Sequence, residues 1–512
     1  MFQLKPQRWR KKREAPWGIR LDFFSLPNTL AAASFQTVDM CLDIVLFRDP
    51  TGANLIRESQ RRRYRDPKTV DAVIEADERW RRLQFLSENC RKLSNDCSKA
   101  VGDKKKKKEA DGDTEVIPAD VIESAQAGML TPARIGELCV LQIKSLSKFL
   151  SERLPTIVQE AREAEVQRDS LLHEIGNIVH ESVPVTDNED LNGIVRTWGA
   201  AIGTKPMNHV DIMEKLGCMD TGKAVTAMAG GRAYVLKAGL VQLQMALSMY
   251  AVNFLIQRGY SPFFPPVFLT KDAMAEVAQL SQFDDELYKV TGEGDDKYLI
   301  ATSEQSIAAY QRGRWYQDLS QPIKYCGVSS CFRKEVGSHG RDTLGIFRVH
   351  QFDKIEQFVV CSPRGDESWR LQEEMITASE DFYKSLGIPY RVVNICTGAL
   401  NDAAAKKYDL EGWFPGSNTF RELVSCSNCT DYQARRLGCR FGANTRGQAA
   451  VNVKDHPHML NSTLCAITRT MCAICENFQC AEGVVIPEVL RPFMMGKALL
   501  SYAEAPRRED AI

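Results

Sequence analysis

Two periodic seams between residues 66 and 180 constrain the fold more than anything else in this chain. In the first, Val73, Ala76, Trp80, Leu83, Ser87, Cys90, Ser94, Cys97 and Val101 recur at alternating steps of three and four. In the second, Ile143, Leu150, Ile157, Ala164, Leu171 and Ile178 fall at every seventh position, with Leu154, Ala161 and Ile175 four residues after members of the series. That spacing keeps one narrow apolar stripe turned toward a partner helix, as in a coiled coil. The polar stretch from Gly102-Asp103-Lys104 to Pro118 can turn the chain back. The expected shape is an antiparallel helical hairpin, and at about 1.5 Å per residue each helix reaches roughly 50 Å. Two features oppose it: the first seam is built from small residues, and Pro155 should kink or interrupt the second helix.

Such an arm suggests a partner. Its faces carry Arg61, Arg62, Arg63, Arg65, Lys68, Arg79, Arg81, Arg82, Arg91, Lys92 and Lys99, and its tip Lys104 to Lys108. Cations on a protruding arm can neutralise phosphates and release counterions. Asp71, Glu75, Asp77, Glu78 and Glu88 are interspersed, however, so an ordinary solvated face explains the same charges. The chain as a whole has 66 basic and 66 acidic residues, so no global field draws a polyanion and any such contact is local.

At 512 residues, two or three domains are expected. Sixteen Cys without a pairing rhythm or secretory signal read as reduced thiols in a cytosolic-type compartment. The uncharged run Ala238 to Ile256 contains Gln242, Gln244, Ser248 and Asn253, which suit a buried or interface helix better than a membrane span. Residues 1–39 hold seven Lys/Arg against Glu14, Asp22 and Asp39, with no clear period. A disordered extension, or a start at Met40, is favoured over an organelle-targeting leader, which the composition does not exclude.

After residue 190 the texture changes. Lys297-Tyr-Leu-Ile-Ala301, Phe347-Arg-Val-His-Gln-Phe352, Glu356-Gln-Phe-Val-Val360 and Tyr390-Arg-Val-Val-Asn-Ile395 are short and β-prone. Helical stretches near 236–257, 366–386 and 464–478 separate them, which predicts an α+β domain with a largely antiparallel sheet. Neither GxxxxGK[ST] nor GxGxxG opens a helix, so the common nucleotide-binding folds lack support.

Several motifs in order carry a resemblance. Gly259-Tyr-Ser-Pro-Phe-Phe-Pro-Pro266, then Cys331-Phe-Arg-Lys-Glu335 with Gly345-Ile-Phe-Arg-Val-His-Gln-Phe352, then Leu460-Asn-Ser-Thr463 to Ala466-Ile-Thr-Arg469 resemble the three signature motifs of class II aminoacyl-tRNA synthetases. Within that class, Ala301-Thr-Ser-Glu304, Gln351-Phe-Asp-Lys-Ile-Glu-Gln357 and the run Phe420 to Arg436 resemble the seryl enzymes of the eukaryotic cytosolic type. Met40-Cys-Leu-Asp-Ile-Val-Leu-Phe-Arg48 is similar to the start of those enzymes. The resemblance covers about residues 40–490. It implies a tRNA-binding hairpin arm over 40–185, a class II antiparallel-sheet catalytic domain over 190–500 and a tail from 501 to 512.

The chemistry implied is formation of seryl-adenylate from L-serine and ATP, then transfer to tRNA(Ser), and by family also to tRNA(Sec). Both first reactants are anionic, so positioning and charge neutralisation matter more than proton transfer. The resemblance makes Arg333, Glu335 and Arg469 the catalytic set. Arg333 would bridge the serine carboxylate and α-phosphate with its planar fork. Glu335 would take the adenine amino group, Phe352 would stack on adenine, and Arg469 would hold the γ-phosphate. Lys334, Arg348, Val349, His350, Gln351, Glu422, Leu423, Val424 and Ser425 complete the implied ATP site. Glu422 and Ser425 would hold Mg²⁺. Thr302, Ser303, Glu304, Glu356, Asn461 and Thr463, with Arg333, would form the serine pocket.

Further implications are a homodimer with residues near 238–268 at the interface, an arm gripping the long variable arm of the tRNA, a cytoplasmic setting and no membrane partner. Cys426/Cys429 and Cys472/Cys475 have zinc-like spacing, but the family does not use zinc there and none is expected. The sequence departs from its relatives at Leu344, where many have Arg, and at Ser306, where Pro is frequent. A catalytically idle paralogue that binds RNA or protein is the alternative. Such proteins usually lose a motif arginine or pocket acid, and Arg333, Glu335, Glu422 and Arg469 are all present.

Overall fold

The computed structural model describes residues 41–201, 203–278, 286–292, 294–336, 345–442 and 455–503. The extension 1–39, Leu344 and most of the 501–512 tail lie outside the described residues.

The seams become two long helices, α1 (Lys68–Lys106) and α2 (Val140–His173). At 39 residues, α1 is about 58 Å long. Val70 and Val73 near its start pack with Leu172 and Ile175, whereas Cys90, Leu93 and Cys97 pack with Ile143, Leu146 and Leu150. The helices are therefore antiparallel. The small residues of α1 fit because α2 answers them with Leu and Ile.

The turn differs from expectation. Gly102 does not end α1, which runs on to Lys106; a glycine inside a helix costs only about 1 kcal/mol. The return contains two short helices, Ala119–Ala127 and Pro132–Glu137. Their neighbourhood contributes Val121, Leu130, Ile135 and Leu138 to the buried cluster around Cys90, Cys97 and Ile143. The arm thus ends in a small core of its own. Nor does Pro155 interrupt α2, whose helix continues through it.

The basic residues of the arm divide by structure. Arg63 is 4% exposed and donates to the carbonyls of Asn177 (3.0 Å), Asn401 (3.1 Å) and Ala404 (2.6 Å). Arg62 donates to the His180 and Val183 carbonyls, and Arg65 pairs with Asp402. Arg63 and Arg65 fasten the base of the arm to the sheet domain, and Arg62 ties it to the segment that follows α2. Arg79, Arg82, Arg91, Lys92 and Lys99 are exposed along α1.

Asp77, buried at the arm base, pairs with Arg48 (2.8 Å), Arg81 (2.9 Å) and Arg168 (3.8 Å), and Arg168 lies over the Trp80 ring at 4.3 Å. Burial alone would raise its carboxyl, but Arg48 and Arg81 outweigh burial and hold it below the usual range. Its contribution is therefore present above the unfolded aspartate pKa and fades as pH falls through the lowered one. Asp77→Ala should destabilise the arm by about 3 kcal/mol, because Arg48 loses a two-point charge-assisted pair, Arg81 loses its partner, and Arg168, still held by Asp169 at 2.7 Å, loses its second buried counter-charge. Denaturation followed by far-UV circular dichroism measures this.

Beyond the arm, eight strands form one sheet: β1 (Gly193–Trp198), β2 (Ser261–Phe263), β3 (Ile323–Phe332), β4 (Gln351–Cys361), β5 (Tyr390–Asn394), β6 (Lys406–Phe414), β7 (Thr419–Asn428) and β8 (His458–Ala466). Their order is β1-β5-β6-β7-β8-β4-β3-β2, antiparallel everywhere except the β2–β3 pair. The accompanying helices are α3 (Ala238–Ile256), α4 (Ser303–Tyr310), α5 (Glu367–Leu386) and α6 (Ile467–Asn477). The run Phe347–Phe352 is not a strand throughout: β4 begins only at Gln351, after a turn in which Gly345 has φ +64°.

Alternation along β4 divides the domain. Ile355, Val359 and Cys361 join the core formed with α3, α5 and α6, while Phe358 and Val360 pack with Ile307 and Ala308 of α4. Helix α3 is long and apolar enough to cross a membrane. Here it buries Leu240, Leu243, Leu247, Ala251 and Leu255 in that core, and Gln244 donates to Asp353 at 2.8 Å.

Candidate active site

A cleft of about 630 Å³ opens on the face of the sheet opposite α5 and α6. Two β-bulges border it. Between β4 and β8 the register slips after Ile355, so Leu464 is the extra residue, and Glu356 faces Thr463. Between β6 and β7 it slips after Leu410, with Leu423 extra, and Glu411 pairs with Glu422. A bulge bends its strand and re-aims the neighbouring side chains. Both sit where an acid must be presented to the cleft.

One end of the cleft is acidic and narrow. Glu304 comes from the first turn of α4, whose N-cap Thr302 accepts from the Glu304 amide at 3.3 Å. The Glu304 carboxylate accepts from Gln433 (2.6 Å) and Asn461 (2.9 Å). Burial first, and Glu356 second, push it up to about 7. Glu356 is 2% exposed, meets Lys354 Nζ at 2.5 Å and accepts from Thr463 at 3.5 Å. Ser306 donates to the carbonyl of Pro266 at 2.8 Å, so the departure from Pro at this position ties α4 to the first motif.

A raised carboxyl costs stability once ionised. Because the folded value lies above the unfolded one, the cost is absent below the unfolded glutamate pKa and grows as pH rises to about 7. Glu304→Gln should therefore stabilise the fold at pH 8 by about 2 kcal/mol while abolishing activity. The same variant should be no more stable than wild type at pH 4, which paired melts at the two pH values will show.

The other end is rich in arginine and open. Arg333, at the end of β3, lies 5.4 Å above the Phe352 ring and donates to the Ala301 carbonyl at 3.3 Å. His350 accepts the Arg333 amide through its carbonyl (3.0 Å), fixing the β3 end to the start of β4. Glu335 has the left-handed φ of 53°, an uncommon conformation that clusters at functional sites, and lies 3.6 Å from Arg348. Arg469, from the first turn of α6, donates to both the side chain and carbonyl of Glu422 at 3.1 Å. Phe347 is flanked by Arg469 (4.9 Å) and Arg421 (5.0 Å).

Glu422 leaves 48% of its side chain open to the cleft. Its recessed position would raise the carboxyl, but Arg469, Lys407 and Arg333 together hold it down. Its neighbour Asp409 is pushed up by burial, and one of its oxygens has no hydrogen-bond partner among the described residues.

The cleft brings together Thr302, Glu304, Arg333, Glu335, Arg348, Val349, Phe352, Glu356, Glu422, Leu423, Ser425, Asn461, Thr463 and Arg469. The other implied residues do not line it. Ser303 is fully buried beneath Gly327, where any side chain would strike its hydroxyl. Val424 belongs to the core on the far side of the sheet. His350 contacts the Arg333 backbone and the Tyr288 ring, Lys334 joins Glu286 through its backbone, and Gln351 is exposed at the strand start.

Sequence reasoning missed Lys354, Lys407, Phe347, Gln433 and Arg436, all of which line the cleft. Lys354 had a readable signal, since residues two apart on a strand share a face and Glu356 was already a candidate. The thiols of Cys426, Cys429, Cys472 and Cys475 are buried, and burial raises each of them. Cys472 and Cys475 pack in the sheet–helix core.

An antiparallel sheet carrying a nucleotide-sized cleft ringed by arginines defines the catalytic domain of a class II aminoacyl-tRNA synthetase. Residues 288–478 match the tRNA synthetase class II core domain (G, H, P, S and T), and residues 41–123 match the seryl-tRNA synthetase N-terminal domain. The chain is 51% identical over 467 residues to the cytoplasmic serine--tRNA ligase of Cricetulus griseus, which covers 89% of this chain and 90% of that protein. Among solved structures, it resembles cytoplasmic serine-tRNA ligase from Naegleria fowleri in complex with AMP, with TM-score 0.81 and 50% identity over 90% of this chain and 99% of that one. Seryl-tRNA synthetase from Pyrococcus horikoshii complexed with ATP matches with TM-score 0.78 and 35% identity, over 90% and 100% of the two chains. The chain belongs to the seryl-tRNA synthetase family.

Proposed function

We infer that this chain is a cytoplasmic serine--tRNA ligase, which joins L-serine to ATP as seryl-adenylate and transfers the seryl group to tRNA(Ser). The observation that carries the reading is one cleft with paired acids at its narrow end and Arg333, Phe352 and Arg469 at its open end. In the first step a serine carboxylate oxygen bonds to the α-phosphorus and the bond to pyrophosphate breaks. No proton need move, so the residues act by holding both anions in line. Arg333, placed between the acids and Phe352, spreads positive charge over the forming bond. In the second step the terminal ribose hydroxyl of the tRNA attacks the seryl carbonyl. AMP then departs and takes up the hydroxyl proton.

Glu422 and Ser425 present hard donors at the phosphate end, and Asp409, paired with Ser425 across the strands, has one buried oxygen without a hydrogen-bond partner among the described residues, which fits Mg²⁺. The ion would offset phosphate charge there. Specific substrates follow from the pocket, since an acceptor built for a hydroxyl rejects an analogue lacking it. An idle RNA-binding paralogue is disfavoured because arginines and acids converge as catalysis requires. Aminoacylation of total tRNA with serine, using threonine and alanine as controls, tests the reading. Charging with either control in place of serine would overturn it.

The arm carries exposed Arg79, Arg82, Arg91, Lys92 and Lys99 away from the cleft, which suits the backbone of a long variable arm on tRNA(Ser). tRNA(Sec) is a further substrate by family. A homodimer is supported by α3, whose Val241 (39%), Met245 (64%) and Met249 (55%) form an exposed apolar stripe at four-residue spacing. Met245→Lys with Met249→Lys should convert a dimer to a monomer in light scattering, and an unchanged mass would remove this face from the interface.

A further inference from the structure

The pocket for the substrate ammonium contains a buried ammonium of its own. Lys354 is 6% exposed, and Nζ sits between two groups of the serine end: Glu356 Oε2 at 2.5 Å and Thr302 Oγ1 at 2.9 Å. Strand alternation puts Lys354 and Glu356 on the same face of β4.

The contacts divide the oxygens of the pocket. Glu356 Oε2 is shared by Lys354 and Thr463, so Oε1 is the oxygen left for substrate. Thr302 Oγ1 accepts from Lys354 and from the Glu304 amide, so its lone pairs are taken and its hydroxyl hydrogen is left to donate. Among the described residues, the side chains that hydrogen-bond the Glu304 carboxylate are the neutral amides of Gln433 and Asn461. The charges follow: the Lys354–Glu356 pair is neutral, and Glu304 is the acid whose charge the pocket has not balanced. Arg333, the other nearby cation, partly offsets Glu304 through space, but its guanidinium is engaged by the Ala301 carbonyl and the Phe352 ring, and burial and Glu356 still hold the Glu304 carboxyl up. The buried thiols of Cys331 and Cys429 also adjoin, and burial raises both, so they stay neutral.

We propose that Lys354 is a specificity-determining residue that assigns the two acids their tasks. By cancelling the charge of Glu356 it makes that carboxylate a hydroxyl acceptor, and it reserves Glu304 as the counterion of the substrate ammonium. With Glu304 ionised, the pocket carries one net negative charge, matched to one ammonium. Without Lys354, two buried carboxylates adjoin with no cation between them, and one of them takes up a proton. Which acid is charged then varies with pH, and the hydroxyl acceptor and the counterion are no longer distinct.

This inference rests on the serine ligase reading, and the test separates the two. Wild-type serine-dependent pyrophosphate exchange is measured first; its absence would defeat the ligase reading itself. Given that activity, Lys354→Met should lower kcat/KM for serine at least 100-fold and leave the KM for ATP within about threefold. The acid limb of kcat/KM for serine should move up by at least one pH unit, and the serine-to-alanine preference should narrow at least tenfold. Lys354→Met/Glu356→Gln removes the surplus charge and keeps an acceptor oxygen, so it should recover at least tenfold of the loss and return the acid limb toward its original position. Should Lys354→Met fail to fold, the charge-balanced double variant is expected to fold and to show that pH profile. A Lys354→Met enzyme with reduced melting temperature but unchanged pH profile and serine preference would overturn the proposal, as would failure of both variants to fold.

Discussion

Serine-dependent pyrophosphate exchange is expected to fall by about 10⁴ in a Glu356→Ala variant, a loss of the size seen when a buried hydrogen-bonding site loses its match. Glu356 lies in the central strand β4 beside a bulge, 2% exposed, with Lys354 and Thr463 sharing one oxygen. Its removal takes away the hydroxyl acceptor and leaves Lys354 beside a cavity. Lys354 keeps its hydrogen bond to Thr302 at 2.9 Å, so the fold should survive with a loss of a few kcal/mol. Titrating ATP in the same assay should show a KM close to wild type, because the nucleotide end is formed by Arg333, Phe352 and Arg469. Near-normal exchange in this variant would remove Glu356 from the pocket.

The second large effect concerns the arm. Excising residues 85–157 and rejoining the cut helices with a short Gly/Ser turn should reduce tRNA charging by at least about 10³. Serine-dependent exchange should stay within about threefold, because no cleft residue lies in the excised segment. Where the cut falls matters. Asn177 donates to the carbonyls of Ala403 and Cys429 at 2.9 Å, Tyr432 donates to that of Ile175 at 2.9 Å, and Arg63 joins Asn177 to Ala404. A deletion reaching residue 178 would break this joint beside Asn461, whose amide also points at Cys429, and would harm both activities for a structural reason. Equal loss of both activities with the shorter excision would refute a tRNA-binding role confined to the arm.

What could be read from the chain divides by range. The arm helices were legible because a seven-residue repeat is a local property. The helical stretches α3, α5 and α6 and the strands β4 and β5 were legible for the same reason, through composition and period. The tip was not: Val121, Leu130 and Ile135 carry no long period, and only docking against Cys90 and Ile143 makes them a core. Pro155 and Gly102 misled because each states a local preference, about 3 kcal/mol for the proline and about 1 kcal/mol for the glycine, which the packing of two long helices overrides.

The site shows the same limit more sharply. Motif resemblance named Glu304, Arg333, Glu356 and Arg469, but it could not say that Ser303 and Val424 turn away, or that Arg62 and Arg63 are spent on backbone carbonyls. By itself the sequence determined the period of each element, the family and the inventory of charged groups, since these depend on neighbours a few residues apart. Tertiary structure alone decided which charges meet. Pairing of β4 with β8 and of β6 with β7, each with one extra residue, sets where Glu356 and Glu422 point. A register is a contest among strands far apart in the chain, settled by burial of one sheet face against α3, α5 and α6.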